Sequence, residues 1–159
     1  MTRALIYSSG ACVLSIALEG LFAGRGIRAR LAELRVPSYA PPFWAWAVIG
    51  ALYYLICFTV LYRLFSTAGP MPSRAWAIGL LGSVMFINAL WNYFFFRTRN
   101  LLHAYAIGLP YGLIAVVLFA LLLHLDRLAA FCLLPYLLYL FYANAFGYRI
   151  WKLNPSTTV

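Results

Sequence analysis

Five long apolar stretches constrain the fold of this chain more than any other feature. Each has about 20 residues, the length of an α-helix that crosses the hydrocarbon core of a bilayer. With 65% hydrophobic and 9% charged side chains in 159 residues, too little polar surface remains to cover a soluble globule. The sequence therefore predicts an all-α integral membrane protein with one five-helix transmembrane domain over 1–159. The predicted spans are 5–24, 43–65, 75–96, 101–124 and 128–151.

The positive charges predict an orientation in the membrane. Four cations lie on the side of the N-terminus: Arg3, Arg63, Arg74 and Arg127. Eight lie on the other side: Arg25, Arg28, Arg30, Arg35, Arg97, Arg99, Arg149 and Lys152. Because cytoplasmic loops carry the excess of Lys and Arg, we expect the N-terminus outside and the C-terminus inside. The expected location is the bacterial inner membrane. The charge thus needs no nucleic acid to explain it, and anionic lipid headgroups or ligand carboxylates are the expected contacts.

The residues present do not support hydrolysis, phosphoryl transfer or metal catalysis. The chain has three acids, none spaced for catalysis with a histidine, and no glycine-rich phosphate loop. The three cysteines fall in three different spans without C-x-x-C spacing, so neither a disulfide framework nor a metal site is predicted. His103 and His124 lie near span ends and are expected to be interfacial, with axial haem ligation as the alternative. A cleaved signal peptide competes with the first span, but "ALEG" is a poor cleavage site.

The segment "PSYAPPFWAW" marks the start of the second span. Pro41 and Pro42 suit the first turn of a helix, where a missing N–H has no intrahelical partner in any case. Trp44 and Trp46 follow at the depth where indole rings favour the membrane interface. An aromatic belt explains these two positions, but it does not explain the polar and aromatic residues deeper in the spans.

Helical spacing sorts those deeper residues into stripes. Stripes that contain amides and phenols are expected to face away from lipid. Two interpretations then remain open, because the stripes either hold the bundle together or line a cavity for a flat ligand. The stripes are Trp46, Gly50 and Tyr53 or Tyr54 in span 2; Asn88, Trp91, Asn92 and Phe95 in span 3; and Pro135, Tyr139, Tyr142 and Phe146 in span 5.

Two further features lie within the spans. Glu19 is an acid inside span 1, and such residues are functional candidates, although it is also expected to pair with a loop arginine at the interface. Gly79 and Ser83 form a small-x-x-x-small pair, which allows close helix approach. The pair predicts either a dimer contact or packing within the bundle.

Four motifs together resemble the TspO/MBR family of tryptophan-rich sensory proteins. They occur in order as "PSYAPP", "NALWNYFFF", "PYLLY" and "WKLN", on the matching loop and spans. The resemblance covers about Arg35 to Asn154. It implies a compact five-helix bundle, usually a homodimer, with a pocket near the first loop that binds porphyrins, sterols or synthetic aromatic ligands, and no required cofactor.

The resemblance also implies site residues. Arg28, Arg30 or Arg35 would meet ligand carboxylates. The lid would comprise Arg35, Pro37, Tyr39, Pro41 and Pro42. The pocket would use Trp46, Ala47, Gly50, Tyr54, Asn88, Trp91, Tyr139, Ala143 and Phe146.

Departures from the family pattern limit what can be carried over. Gly50 and Tyr139 stand where the family has pocket tryptophans, while Val84 replaces a Gln and Gly147 an Asn. The porphyrin photodegradation that some members perform is linked to those indoles, so the sequence does not favour an enzyme. The sterol motif is incomplete as well. We expect a membrane protein that binds a porphyrin, haem or related pigment in a regulatory, sensing or carrier role, or alternatively an assembly subunit of a larger membrane complex.

Overall fold

The computed structural model describes residues 2–67 and 71–155. Residues 1, 68–70 and 156–159 of the predicted domain lie outside this part. The described chain contains six α-helices, one π-helical turn and no strand. In chain order they are α1 (Thr2–Ala23), α2 (Ile27–Glu33), α3 (Phe43–Ser66), α4 (Met71–Asn92) continued by the π-helical turn Tyr93–Arg97, α5 (Leu101–Leu125) and α6 (Arg127–Leu153).

Five of these helices are long and apolar enough to cross a membrane, which confirms the predicted class. Large apolar side chains cover the outside of the bundle, as a lipid-facing surface requires: Trp44, Trp76 and Phe141 are 68%, 71% and 74% exposed. The third span was placed approximately at 75–96, and α4 begins four residues earlier, at Met71. Its first turn accommodates Pro72 because no intrahelical hydrogen bond is lost there. The orientation of the termini stays a prediction.

The five long helices close into a ring. Helix α1 packs against α3 and α4, α4 against α5, α5 against α6, and α6 against α3. Two connections in this ring are very short, because only residues 98–100 separate the π-helical turn from α5 and only Asp126 separates α5 from α6. The segment 24–42, which joins α1 to α3, is the longest connection in the described chain.

The two halves of the bundle are packed differently. We call the half nearest segment 24–42 the loop-1 half, and the other the opposite half. In the opposite half, helix contacts are made by alanines with no exposed surface and by fully buried leucines, and small residues allow such close contact between helices in lipid. These residues are Ala77, Ala115, Ala129, Ala130, Leu81, Leu118 and Leu122.

The short helix α2 was not predicted from the sequence. Gly24 and Gly26 precede it with φ values of 68° and 92°, a backbone region that glycine enters without steric strain. These two glycines reverse the direction of the chain, so that α2 packs against the loop-1 half. There Leu31 and Leu34 join the core around Phe95 and Ile150. Sequence periodicity cannot identify a helix of seven residues whose position depends on this tertiary contact.

The remainder of segment 24–42 is tied to the end of α6. The Asn154 side chain accepts a hydrogen bond from the Arg35 N–H and donates one to the Arg35 carbonyl oxygen, both at 2.9 Å. It also donates to the carbonyl oxygen of Ile150 at 2.8 Å. One buried amide therefore fixes the first loop to the last helix.

Asp126 organises the turn between α5 and α6. Its Oδ1 caps α6 by accepting from the Ala129 N–H at 3.1 Å, and its Oδ2 accepts from Arg63 Nε at 2.7 Å. Burial acts to raise the pKa of Asp126, but the hydrogen bonds from Arg63 and Ala129 dominate and the pKa lies below its usual value. The ionised form is therefore the one that the fold stabilises.

We expect Asp126→Asn to keep the helix cap and lose the ion pair with Arg63. Because the folded-state pKa is lowered, the contribution of the carboxylate is complete above its unfolded pKa and is lost as the pH falls through the folded value. Thermal unfolding in detergent should show the wild type as the more stable protein at pH 7, with the difference shrinking as the pH falls below about 4, the usual pKa of an Asp side chain. A stability difference that does not change with pH would contradict this role.

Candidate functional site

A cavity of about 390 Å³ occupies the loop-1 half of the bundle. All five long helices contribute to its wall, together with α2 and the π-helical turn. Its volume falls within the range of about 300–1,000 Å³ that is typical of small-molecule sites. The fully buried alanines and leucines of the opposite half lie outside the cavity wall.

The structure brings eight of the nine predicted pocket residues to this cavity. The exception is Tyr54, which does not line it. Successive helix positions differ by about 100° in direction, and the neighbouring Tyr53 occupies the cavity side while Tyr54 points toward α1. The eight that line the cavity are Trp46, Ala47, Gly50, Asn88, Trp91, Tyr139, Ala143 and Phe146.

Aromatic rings form most of the wall and support one another. Trp91 stacks on Phe95 with centroids 4.7 Å apart and planes at 20°. Trp46 lies 5.2 Å from Phe146 across the α3–α6 contact. Because these indoles are packed against neighbouring rings, their positions are set before any ligand binds.

The π-helical turn adds a residue that the helical stripe did not predict. Within a regular α-helix, Phe95 continues the stripe of Asn88, Trp91 and Asn92. The wider turn at Tyr93–Arg97 allows Phe96 to line the cavity as well as Phe95. Such turns occur frequently at functional sites, but no pattern in "NYFFF" distinguishes one from regular helix.

Helix α5 supplies wall residues that sequence reasoning missed entirely. Its apolar run contains no polar stripe, so no face of it stood out. A usable signal was the pair Gly108 and Gly112, spaced as small-x-x-x-small. Both face Asn144 of α6, and an added Cβ at Gly108 would lie only 2.9 Å from Asn144 Oδ1. The missed wall residues of α5 are Leu101, Ala104, Tyr105, Ile107, Gly108 and Tyr111.

Glu19 lines the cavity from α1. The expectation that it pairs with a loop arginine was wrong: its Oε1 accepts from the Tyr54 hydroxyl at 2.6 Å and from the Asn88 amide. The Ser15 hydroxyl lies 3.2 Å from the Tyr54 hydroxyl oxygen and can donate to it. Neutral donors inside the bundle thus hold the carboxyl group, because α1 directs this side chain inward and away from the arginine-rich loop.

The cover of the cavity differs from the predicted lid. Ile27 and Leu31 of α2 line the cavity, whereas none of the predicted lid residues Arg35, Pro37, Tyr39, Pro41 and Pro42 does so. Tyr39 instead packs behind the wall, edge-on to Phe146 at 6.5 Å and to Tyr142 at 6.1 Å.

The loop arginines are also placed differently from expectation. Arg30 is buried and donates to Glu33 and to the carbonyl oxygen of Arg99. Arg28 lies over the ring of Phe43, with its guanidinium carbon 4.7 Å from the ring centroid. Neither these arginines nor Arg35 lines the cavity, so the described structure offers no arginine to a ligand carboxylate inside it.

The histidines and cysteines do not form a metal centre in the described residues. No group of three or more His, Cys, Asp or Glu side chains is close enough to hold a metal ion there. His103 and His124 are exposed and do not line the cavity. His103 stacks on Phe94 near the loop-1 end, with centroids 5.5 Å apart.

Comparison with known proteins agrees with this architecture. The model of the TspO/MBR family matches residues 8–152. The chain is 29% identical to the tryptophan-rich protein TspO of Archaeoglobus fulgidus, over 89% of this chain and 92% of that protein. It is 28% identical to the tryptophan-rich protein TspO of Bacillus cereus, over 76% and 78%. It is 23% identical to the protein CrtK of Rhodobacter capsulatus, over 78% of each. The chain therefore belongs to the TspO/MBR family.

Proposed function

We propose that this membrane protein binds a hydrophobic, planar small molecule in the cavity of its loop-1 half, with porphyrins, haem and related pigments as the first candidates. The role is sensing, regulation or carriage of that molecule, and the membrane is the bacterial inner membrane. The observation that carries the proposal is the cavity itself, because its wall consists of preorganised aromatic rings with a small number of polar groups. Such a composition is typical of small-molecule sites.

The family membership supports a sensory or regulatory role but does not name the ligand. Two replacements alter the site relative to the family pattern: Gly50 leaves space where an indole is usual, and Tyr139 presents a phenol. An added Cβ at Gly50 meets no atom within 4 Å. The wall is therefore open at this point, which suits a ligand that extends toward α3.

Filling the space at Gly50 tests the cavity directly. Gly50→Leu should fold normally, since its Cβ meets nothing, and should weaken protoporphyrin binding at least about tenfold because the new side chain occupies ligand volume. Titration against tryptophan fluorescence measures the affinity. Gly10→Leu is the matched control, because that glycine is also unobstructed but lies exposed on α1, outside the cavity. Equal affinity in the Gly50 variant and the control would contradict the proposed site.

The indole of Trp91 provides a second test. Trp91→Phe should lower the affinity for protoporphyrin about threefold to tenfold, since a well-placed aromatic contact contributes about 0.5–1.5 kcal/mol. Trp76→Phe is the control on the same helix, with the indole 71% exposed outside the bundle. If quenching does not saturate in the wild type, and the protein is recovered in a larger membrane assembly, the alternative role as an assembly subunit replaces the binding role.

The proposed partner in the membrane is a second copy of the chain. Gly79 and Ser83 both lie exposed on the outer face of α4, where small residues permit another helix to approach closely. We expect Gly79→Cys to crosslink two copies in vesicles and Leu113→Cys, exposed on α5, to crosslink much less. Similar crosslinking at both positions would contradict this dimer contact.

A further inference from the structure

The cavity wall has a single charged side chain. Among the described residues that line it, Glu19 is an acid and none is Lys or Arg. Every ion pair in the described structure involves either Glu33 or Asp126, so no arginine or lysine neutralises Glu19. An anionic ligand would therefore meet a carboxyl group and no compensating cation. A ligand that donates an N–H meets an acceptor.

One half of the Glu19 carboxyl group is available to such a ligand. Its Oε1 is occupied by the Tyr54 hydroxyl and the Asn88 amide, which also fix the direction of the group. Within the described part of the chain, no donor contacts Oε2. A carboxylate accepts several hydrogen bonds, and an acid placed inside a membrane bundle normally has a partner.

Tyr53 offers the cavity its ring and not its hydroxyl. The side chain lines the cavity, but the hydroxyl oxygen is fully enclosed, close to Cys57 and Tyr111. A wholly apolar ligand would leave Glu19 Oε2 without a partner.

The surrounding rings favour a positive charge. Trp46, Trp91 and Tyr139 all line the cavity, and the faces of aromatic rings attract cations, most strongly when water is excluded. An acid with a free oxygen inside a wall of aromatic rings is the combination that recognises an organic ammonium or a protonated ring nitrogen. Neither element recognises an anion.

We propose that the ligand is a planar nitrogen base, bound with a protonated or N–H nitrogen donating to Glu19 Oε2. This inference rests on the proposed function and narrows its ligand class: among flat molecules, the site selects one with a basic edge over one with an acidic edge, so protoporphyrin and haem, which carry carboxylates, are expected to bind more weakly than a flat cation. The Arg28 and Arg30 guanidinium groups outside the cavity take no part.

Three probes of similar shape test the selectivity. They are 9-aminoacridine, a cation at neutral pH, 9-anthracenemethanol, which is neutral, and 9-anthracenecarboxylate, an anion. In a non-ionic detergent, titration against tryptophan fluorescence should show the cation binding at least about tenfold more tightly than the anion, with the neutral probe between them.

The variant Glu19→Gln isolates the charge. Its side-chain carbonyl can still accept from Tyr54 and Asn88, and unchanged thermal unfolding would confirm the fold. We expect it to lower the affinity for 9-aminoacridine about tenfold and to change that for 9-anthracenemethanol less than twofold. Equal loss for all three probes, or a wild type that does not prefer the cation, would overturn the inference.

Saturable binding of all three probes without discrimination would leave the cavity function standing and remove only the charge preference; no saturable binding would remove both.

Discussion

Close packing in the opposite half is the constraint on which the rest of the structure depends. Lipid provides little hydrophobic drive to bring helices together, so close contact through small residues must hold the bundle. Ala77, Ala115 and Ala129 are completely buried at these contacts, and Asp126 ties α5, α6 and Arg63 at the same end. The cavity lies outside these contacts, in the loop-1 half.

The loop-1 half meets a different requirement. Its polar groups cannot reach lipid without a large penalty, so they must face the cavity or a neighbouring helix. Among the described residues, Glu19 pairs through Oε1 alone, which accepts from Tyr54 and Asn88. A cavity whose wall combines rigid rings with incompletely paired polar atoms differs from a packing defect, because a defect in lipid-facing bundles would be apolar.

The sequence predicted the site to different extents on different helices. On α3, α4 and α6, polar or aromatic residues recur with helical spacing, and their inward direction follows from the penalty for facing lipid. Tyr54 was assigned wrongly because Tyr53 and Tyr54 are chemically equivalent in a pattern, and only the position of Glu19 on α1 decides between them. The wall residues of α5 were not predicted, because its aliphatic residues do not indicate which face of the helix turns inward. Helix α2 was not predicted, because an isolated helix of seven residues is not stable.

The sequence by itself determined the class of protein, the five membrane-crossing helices and most of the residues that turn inward, since each follows from hydropathy and from a period of 3.6 residues along one helix. Only the tertiary structure decided which helices are neighbours, that a cavity lies between them in one half, that Phe96 joins Phe95 at the wall, and that Glu19 faces the cavity in place of the arginines. Those outcomes depend on distances between segments far apart in the chain, and periodicity within a segment carries no information about such distances.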